Sequence, residues 1–586
     1  MSSDRRGFLK KSAALAGAIT YGDLIKLAHI VAAGTSVKAL AQVGEVSVKN
    51  YIRIHASGGA PRWFFDQWLT PNPTDELLTT ENFATWQEGA STGFDFSVPG
   101  GKAIHKIYTY RGVQVPHHYQ YPVLGSVGNR LASELLDNMA VIRGVNSQVD
   151  GHEVNAPIQN FPDPAVPTLD GIVADARKDL IAAVNMGTGP TKFFSASGKT
   201  LSVTNDIRGT SGAIGGLLKP FKKYNPSSSV ISNMDQVTPI RKYFNDLMKS
   251  KSAQFNTSAS ALDDHTRNAK SLIDFAAEDL VSVWNSLYNK YKTIMNGSAQ
   301  CVPGGAAGAI PGLTDQKVTL SAGRTLKNFT WNNSVQKLTA GSWLTGDYPT
   351  AWANSAGDID PDWDLREMLN TPGLSVDDEL IRGFALAEYC ITRNISGNIS
   401  LNYGGIMGNM NYLLKGTSTL SSRGIPNDCH FDSIRATQLP QLAQARGLIA
   451  GLLELISVLK ATERNGKNLF DQTIIHMTGD FTRDPKNNGA SLDHGYMAQV
   501  SSIISGVVKQ PTIVGNISKY GSYYSTGTWG HSAVVDFNGS KETLSPRHVA
   551  AAIINAMGLP NPWSFTHLVW KLENGVIVPK IGAKVV

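Results

Sequence analysis

Thr473–His494 reads TIIHMTGDFTRDPKNNGASLDH. The run Thr473–Met477 has the length and apolar character of a buried strand. It ends in Thr478-Gly479-Asp480, passes into a polar loop and closes on Asp493-His494. Open α/β sheets build their sites in this way, with a buried strand delivering an acid at its carboxyl end and a loop adding further polar groups. Upstream, Leu439, Leu442, Ala445, Leu448, Leu452, Leu453, Ile456 and Leu459 mark one face of a long helix, closed by Asn465-Gly466. Ile399–Tyr403 reads as a short strand before that helix. Strand, helix, strand implies a right-handed crossover between parallel strands. The loops carrying Asp432 and Asp480 are therefore expected side by side at one sheet edge.

The chain has 586 residues, enough for one large core or two smaller ones. Its first residues are expected to lie outside any core. Asp4-Arg5-Arg6-Gly7-Phe8-Leu9-Lys10 is a twin-arginine export motif, with Arg5, Arg6, Phe8 and Leu9 at its diagnostic positions. A mildly apolar, small-residue stretch follows from Ser12 to Ala33, and Ala39-Leu40-Ala41 offers an A-x-A cleavage site. Residues 1–41 read as a signal peptide and 42–586 as the mature α/β domain. The bland alternative for the first segment is a basic amphipathic helix.

Of the formal net charge of +6, six basic and two acidic residues in 1–41 account for +4. The mature part is thus close to neutral, which gives no case for nucleic-acid binding. No later apolar run is long enough to span a bilayer, so the mature protein is expected to have no membrane span. The twin-arginine translocase is the expected export partner and the periplasm or exterior the destination. The three cysteines, Cys301, Cys390 and Cys429, allow at most one bridge and make no disulfide framework.

Along the mature chain, Val46–Ala56 predicts the first strand, turning at Ser57-Gly58-Gly59-Ala60-Pro61. Trp63, Phe64, Phe65 and Trp68 around Asp66 suggest a packed loop. Residues 70–120 are polar and read as loop. Leu131–Leu136 begins a short helix and Met139–Val145 reads as a core strand, with His152 following. Apolar residues from Leu272 to Ile294 at three- and four-residue steps predict a helix ended by Asn296-Gly297, with Ile240–Met248 as a partner. They fall in an expected helical and loop-rich insertion at about 220–360. Val376–Thr392 reads as helix, and Arg547–Gly558 as a closing helix stopped by Pro560.

The expected metal ligands are His430, Asp432, Asp480, Asp493 and His494, with His152 assisting and Asp66 an outside candidate. Carboxylate and imidazole together suit Zn²⁺, Mn²⁺ or Fe, whereas an all-oxygen shell favours Mg²⁺ or Ca²⁺. Each residue also has a plain structural reading: Asp480 as a turn acid or helix cap, Asp493-His494 as a solvated loop. Arg483 either clamps an anion or pairs with a neighbouring acid such as Asp484. No G-x-S-x-G elbow, P-loop or Rossmann glycine fingerprint is present in the sequence.

At these residues the chain resembles the twin-arginine-exported domain-of-unknown-function family fifteen-oh-one, of the alkaline phosphatase and sulfatase superfamily. Ser57–Pro61 with Phe65-Asp66 resembles that family's G-G-P-S-x-x-D-x-F-D opening. Met139–Val145 with His152 resembles its second strand and following histidine. Phe431-Asp432-Ser433 stands where the family has W-D-T-H, and Thr478–Pro485 with Asp493-His494 is similar to S-E-F-G-R-T-P followed by R-D-H. Ser545–Leu559 is similar to its last helix, with His548 at the histidine. The likeness is thin between residues 160 and 375. Ser433 or Ile434 stands at one family histidine, Asp480 at the glutamate, and Trp63 or Phe64 at the first aspartate.

The resemblance implies a three-layer α/β/α sandwich with a mostly parallel sheet and helical and loop insertions. It also implies a divalent metal (Zn, Mn, Ca or Mg) and a small anionic ester as substrate. The superfamily's Ser, Thr or Cys nucleophile is not identified, Ser57 and Ser147 having no supporting motif. Two readings stay open: a metal-dependent hydrolase of phosphate or sulfate esters, and a catalytically inactive sulfatase-like fold acting as an exported binding or cell-envelope protein.

Overall fold

The computed structural model describes residues 49–60, 62–68, 94–97, 107–187, 192–204, 280–299, 317–320, 330–331, 336–337, 375–408, 423–427, 434–464, 466–485, 492–518, 530–563 and 565–582. Arg5, Arg6, Phe8, Leu9 and the whole expected signal segment lie outside them, as do residues 240–248.

Eight strands form the central sheet: β1 Asn50–Ala56, β2 Met139–Val145, β3 Ala183–Met186, β4 Leu201–Thr204, β5 Asn398–Tyr403, β6 Thr473–Gly479, β7 Gln499–Ile504 and β8 Thr512–Val514. Their spatial order is β8-β2-β7-β6-β1-β5-β3-β4. All pairs are parallel except those made by β7, which runs against both β6 and β2. The molecule is thus an α/β fold on a mostly parallel sheet. β1 and β6 sit at its centre and are buried along their whole length.

Helices cover both faces. They are α1 His152–Ile158, α2 Leu169–Ala176, α3 Leu280–Ala299, α4 Asp378–Thr392, α5 Ile434–Ala461 and α6 Pro546–Met557. Side chains alternate across the strands with period two. Ile52, Ile54, Ile475 and Met477 join α3, α4 and α5 in one core, while Tyr51, Ile474 and Ile503 join α2 and α6 in the other. β5 and β6 are parallel, as their crossover through α5 predicts, with β1 between them.

Local chemistry sets the helix ends. Asp377 caps α4, its carboxylate accepting from Glu379 N at 2.9 Å. α6 starts with Pro546 after Ser545 and stops at Gly558, whose φ of 76° is the left-handed cap that glycine adopts freely. His548, expected at a family histidine position, is spent here: its Nδ1 accepts from Ser545 N at 3.1 Å, and its Nε2 lies 3.3 Å from Glu542.

Two expectations need correction. Asn296-Gly297 does not end α3, which continues to Ala299. Asn296 uses its side-chain oxygen to accept from Val376 N at 2.9 Å, a tertiary contact rather than a cap. Residues 107–116 are not loop but an antiparallel hairpin, Ile107–Tyr110 with Val113–Pro116. Arg111 and Gly112 both hold positive φ at its turn, the geometry that matches strand twist in a two-residue hairpin. α3, expected in an insertion, places Trp284, Tyr291 and Met295 in the same core as α4 and α5. Among the described residues no helix is long and apolar enough to cross a membrane.

The interior carries neutral imidazoles. His476 in β6 lies 2.8 Å from both Tyr51 Oη and Ser501 Oγ, and burial pushes its pKa well below the ordinary value. Burial likewise lowers His55 and His548. These groups take up protons in the unfolded chain before they do in the fold, so stability is full above the unfolded pKa of 6.5 and is lost as pH falls below it. Each contributes a slope of up to ~1.4 kcal/mol per pH unit in that range. Denaturant titrations at pH 7.5, 6.5 and 5.5 should show falling stability, with a shallower fall in His476→Gln.

Candidate functional site

β6 ends at Gly479, and the next residue, Asp480, emerges at the carboxyl edge of the sheet beside the end of β1. Three donors meet its carboxylate. His55 Nε2 is 2.6 Å from Oδ1, His152 Nδ1 is 2.8 Å from Oδ2, and Gly58 N donates to Oδ2 at 2.8 Å. The side chain is almost wholly buried. Burial alone would raise its pKa, but the bonds from His152, His55 and Gly58 outweigh that and hold it well below the usual carboxylate value. Asp480 is therefore an anion at neutral pH, and each imidazole nitrogen facing it carries a proton.

Sequence explains the convergence. Gly58 and Gly59 have φ of 85° and 68°, a double left-handed turn that brings the Gly58 amide back over the sheet edge. Arg483, fully buried, holds that turn: Nε donates to Gly59 O at 2.9 Å and Nη2 to Gly58 O at 2.6 Å. It also lies over the Phe481 ring, 5.2 Å from its centroid. Of the two roles read for Arg483, the structural one is seen in these bonds to the Gly58 and Gly59 carbonyls.

After Asp480 the chain forms a hairpin, Thr482–Pro485 with Leu492–Gly495, in which Arg483 pairs with His494 and Asp484 with Asp493. The hairpin returns His494 to the site. Its ring centroid is 4.9 Å from that of His152 in a T-shaped contact, and Phe481 packs against both, at 4.5 Å from His152 and 4.2 Å from His494. His494 Nδ1 is 2.6 Å from Asp150 Oδ1, and burial lowers its pKa despite that partner.

Three of the expected ligands thus come together: Asp480, His494 and His152. His430 and Asp432 lie outside the described residues, as does the Asp493 side chain. Asp66 is bound instead to Arg62 and to Ser502, whose Oγ donates to it at 2.6 Å. Cys390 is buried and free. Ser147 has its hydroxyl 2.5 Å from Asn155 Oδ1 and 3.0 Å from Tyr496 O, so it is committed to structure.

Among the described residues no three His, Cys, Asp or Glu side chains converge on one point as a metal cage. What remains is a pair of imidazoles whose Nδ1 atoms face carboxylates. The 4.9 Å centroid separation and 77° interplanar angle describe an edge-to-face ring contact.

No family model, curated protein or solved structure matches the chain.

Two members were missed in the sequence. His55 sits in a fully buried strand, where a histidine reads as core. The available signal was its place one residue before the strand end, facing the Gly-Gly turn. Asp150 looked like an ordinary loop acid.

A Cβ built on Gly59 would stand 2.5 Å from Phe481 Cε2, at a φ unsuited to any other residue. Gly59→Ala should cost ~1–3 kcal/mol from backbone strain and displace Phe481 from the imidazole pair. Equilibrium denaturation reads the first effect; the second appears as altered His152 and His494 ring proton shifts in NMR.

Proposed function

We propose that the chain is a metal-dependent hydrolase of phosphate or sulfate esters, with an alkaline-phosphatase/sulfatase-like three-layer fold. The mostly parallel sheet with helices on both faces supports the fold assignment, and the position of the cluster at the strands' carboxyl ends supports a site there. One observation carries the reading. His152 and His494, far apart in sequence, lie in ring contact, each with Nδ1 against an aspartate. Metal-ligating histidines commonly donate their second nitrogen to a carboxylate in this way.

His152 and His494 would hold the ion through Nε2, with Asp480 and Asp150 behind them. Nitrogen donors favour Zn²⁺ or Mn²⁺ over Ca²⁺ or Mg²⁺. When bound, such an ion polarises an ester oxygen and lowers the pKa of water to ~7. The chain's own part is orientation. Asp480 keeps the proton of His152 on Nδ1 and stays ionised. His55 and the Gly58 amide hold that carboxylate still, and Arg483 holds the turn that aims the amide. Phe481 closes the inner side of both rings against water.

Purified mature protein should contain stoichiometric zinc or manganese by elemental analysis and hydrolyse aryl phosphates or aryl sulfates. His494→Ala and Asp480→Ala should each lower metal content at least tenfold. Unchanged metal in both variants sinks the reading.

A second reading is favoured by the committed Ser147 hydroxyl: a non-catalytic sulfatase-like protein that binds through the same edge. Full metal content with no turnover of any aryl ester would select it. Both readings place the protein in the periplasm or outside the cell through the twin-arginine translocase. Replacing Arg5 and Arg6 together by Lys should leave the unprocessed chain in the cytoplasm, as fractionation and immunoblotting would show.

A further inference from the structure

We infer that Asp150 is a positioning residue that fixes the tautomer and orientation of the His494 ring. The inference rests on the proposed metal-dependent reading, which supplies the use for that tautomer.

Asp150 lies in the segment Asp150-Gly151-His152 that leads into α1. This segment addresses both imidazoles at once. His152 packs against the His494 ring, and Asp150 Oδ1 meets His494 Nδ1 at 2.6 Å. The same oxygen accepts the Gly151 amide at 2.6 Å, so the carboxylate does not swing freely. Gly151 has φ 98°, which turns the chain sharply between the two functional side chains. The arrangement repeats, on the outer ring, what Asp480 does for His152 on the inner one.

Magnitude separates this role from a structural one. The Asp150 side chain is 59 % exposed, and exposed ion pairs contribute little to stability. A short bond that stabilises the fold so little still decides which nitrogen of His494 carries the proton. With Nδ1 protonated, Nε2 is the lone-pair atom, the one that ligates a cation. Without Asp150, neutral imidazole in water distributes its proton over both nitrogens, and the pair with His152 loses its defined donor atom.

The test uses the full mature chain with ¹⁵N-labelled histidine, metal-free. The wild-type His494 signals, assigned by their loss in His494→Ala, should show the Nδ1–H tautomer. Asp150→Ala should convert it to the Nε2–H form or a mixture, with Asp150→Asn intermediate because its carbonyl still accepts a hydrogen bond. Zinc titration of the same proteins should show affinity weakened ~10–100-fold in Asp150→Ala. Asp150→Ala should have no further effect in a His494→Ala background. The thermal midpoint should move by no more than about 2 °C. An Nε2–H tautomer in the wild type, or an unchanged tautomer in Asp150→Ala, overturns the assignment whether or not metal binds. The expected tautomers together with no zinc binding by the wild type overturn the metal reading and leave the role of Asp150 standing.

Discussion

The Asp480 carboxylate is the constraint from which the site follows. A nearly buried anion is costly unless donors surround it. Here they come from three separate stretches of chain: the end of β1 through His55, the turn after it through Gly58, and the start of α1 through His152. Each donor is useful only when β1 and β6 lie in register, with His55 opposite Thr478 and Ala56 opposite Gly479. Sheet pairing and site assembly are therefore one event. A slip of one residue would turn His55 to the other face and leave the charge unmatched.

The inner and outer halves of the site divide the work. In the inner half, His55, Asp480 and Arg483 are buried, and hydrogen bonds there are worth most because water competes little for them. The outer half, His152, His494 and Asp150, is partly open, as a group that must meet a ligand has to be. Phe481 stands between the halves, touching both outer rings and lying under the Arg483 guanidinium. A preorganised outer pair on a locked inner support is the arrangement that binding sites need, since orientation is then settled before any ligand arrives.

Much of this was legible in the sequence, and the limits have physical causes. β1, β2, β5, β6 and the helices α4, α5 and α6 follow from apolar period and caps, and Asp480, His152 and His494 from their places after strands. The sheet order does not follow, because strand pairing joins residues more than 300 positions apart through tertiary packing that local pattern does not encode. His55 was hidden by its own burial: a polar residue in an apolar strand announces a partner without saying which. Asp150 was hidden for the opposite reason, an exposed loop acid being the commonest kind. Arg483 showed its charge but not its partners, and a buried guanidinium serves carbonyl oxygens as readily as carboxylates.

The departures from the resembled family bear on what kind of site remains. The family motif has glutamate where this chain has Asp480, and an aspartate where Trp63 or Phe64 stands. An aspartate is one methylene shorter than a glutamate, and at the end of β6 it stays close to the sheet edge, where His55 and the Gly58 amide engage it. Its oxygens accept those N–H bonds, which orders it as a support for the ring of His152. On the proposed reading, ligation falls to the imidazole nitrogens of His152 and His494. The aspartates become the supports of the ligands, and the preferred ion shifts toward those that bind imidazole.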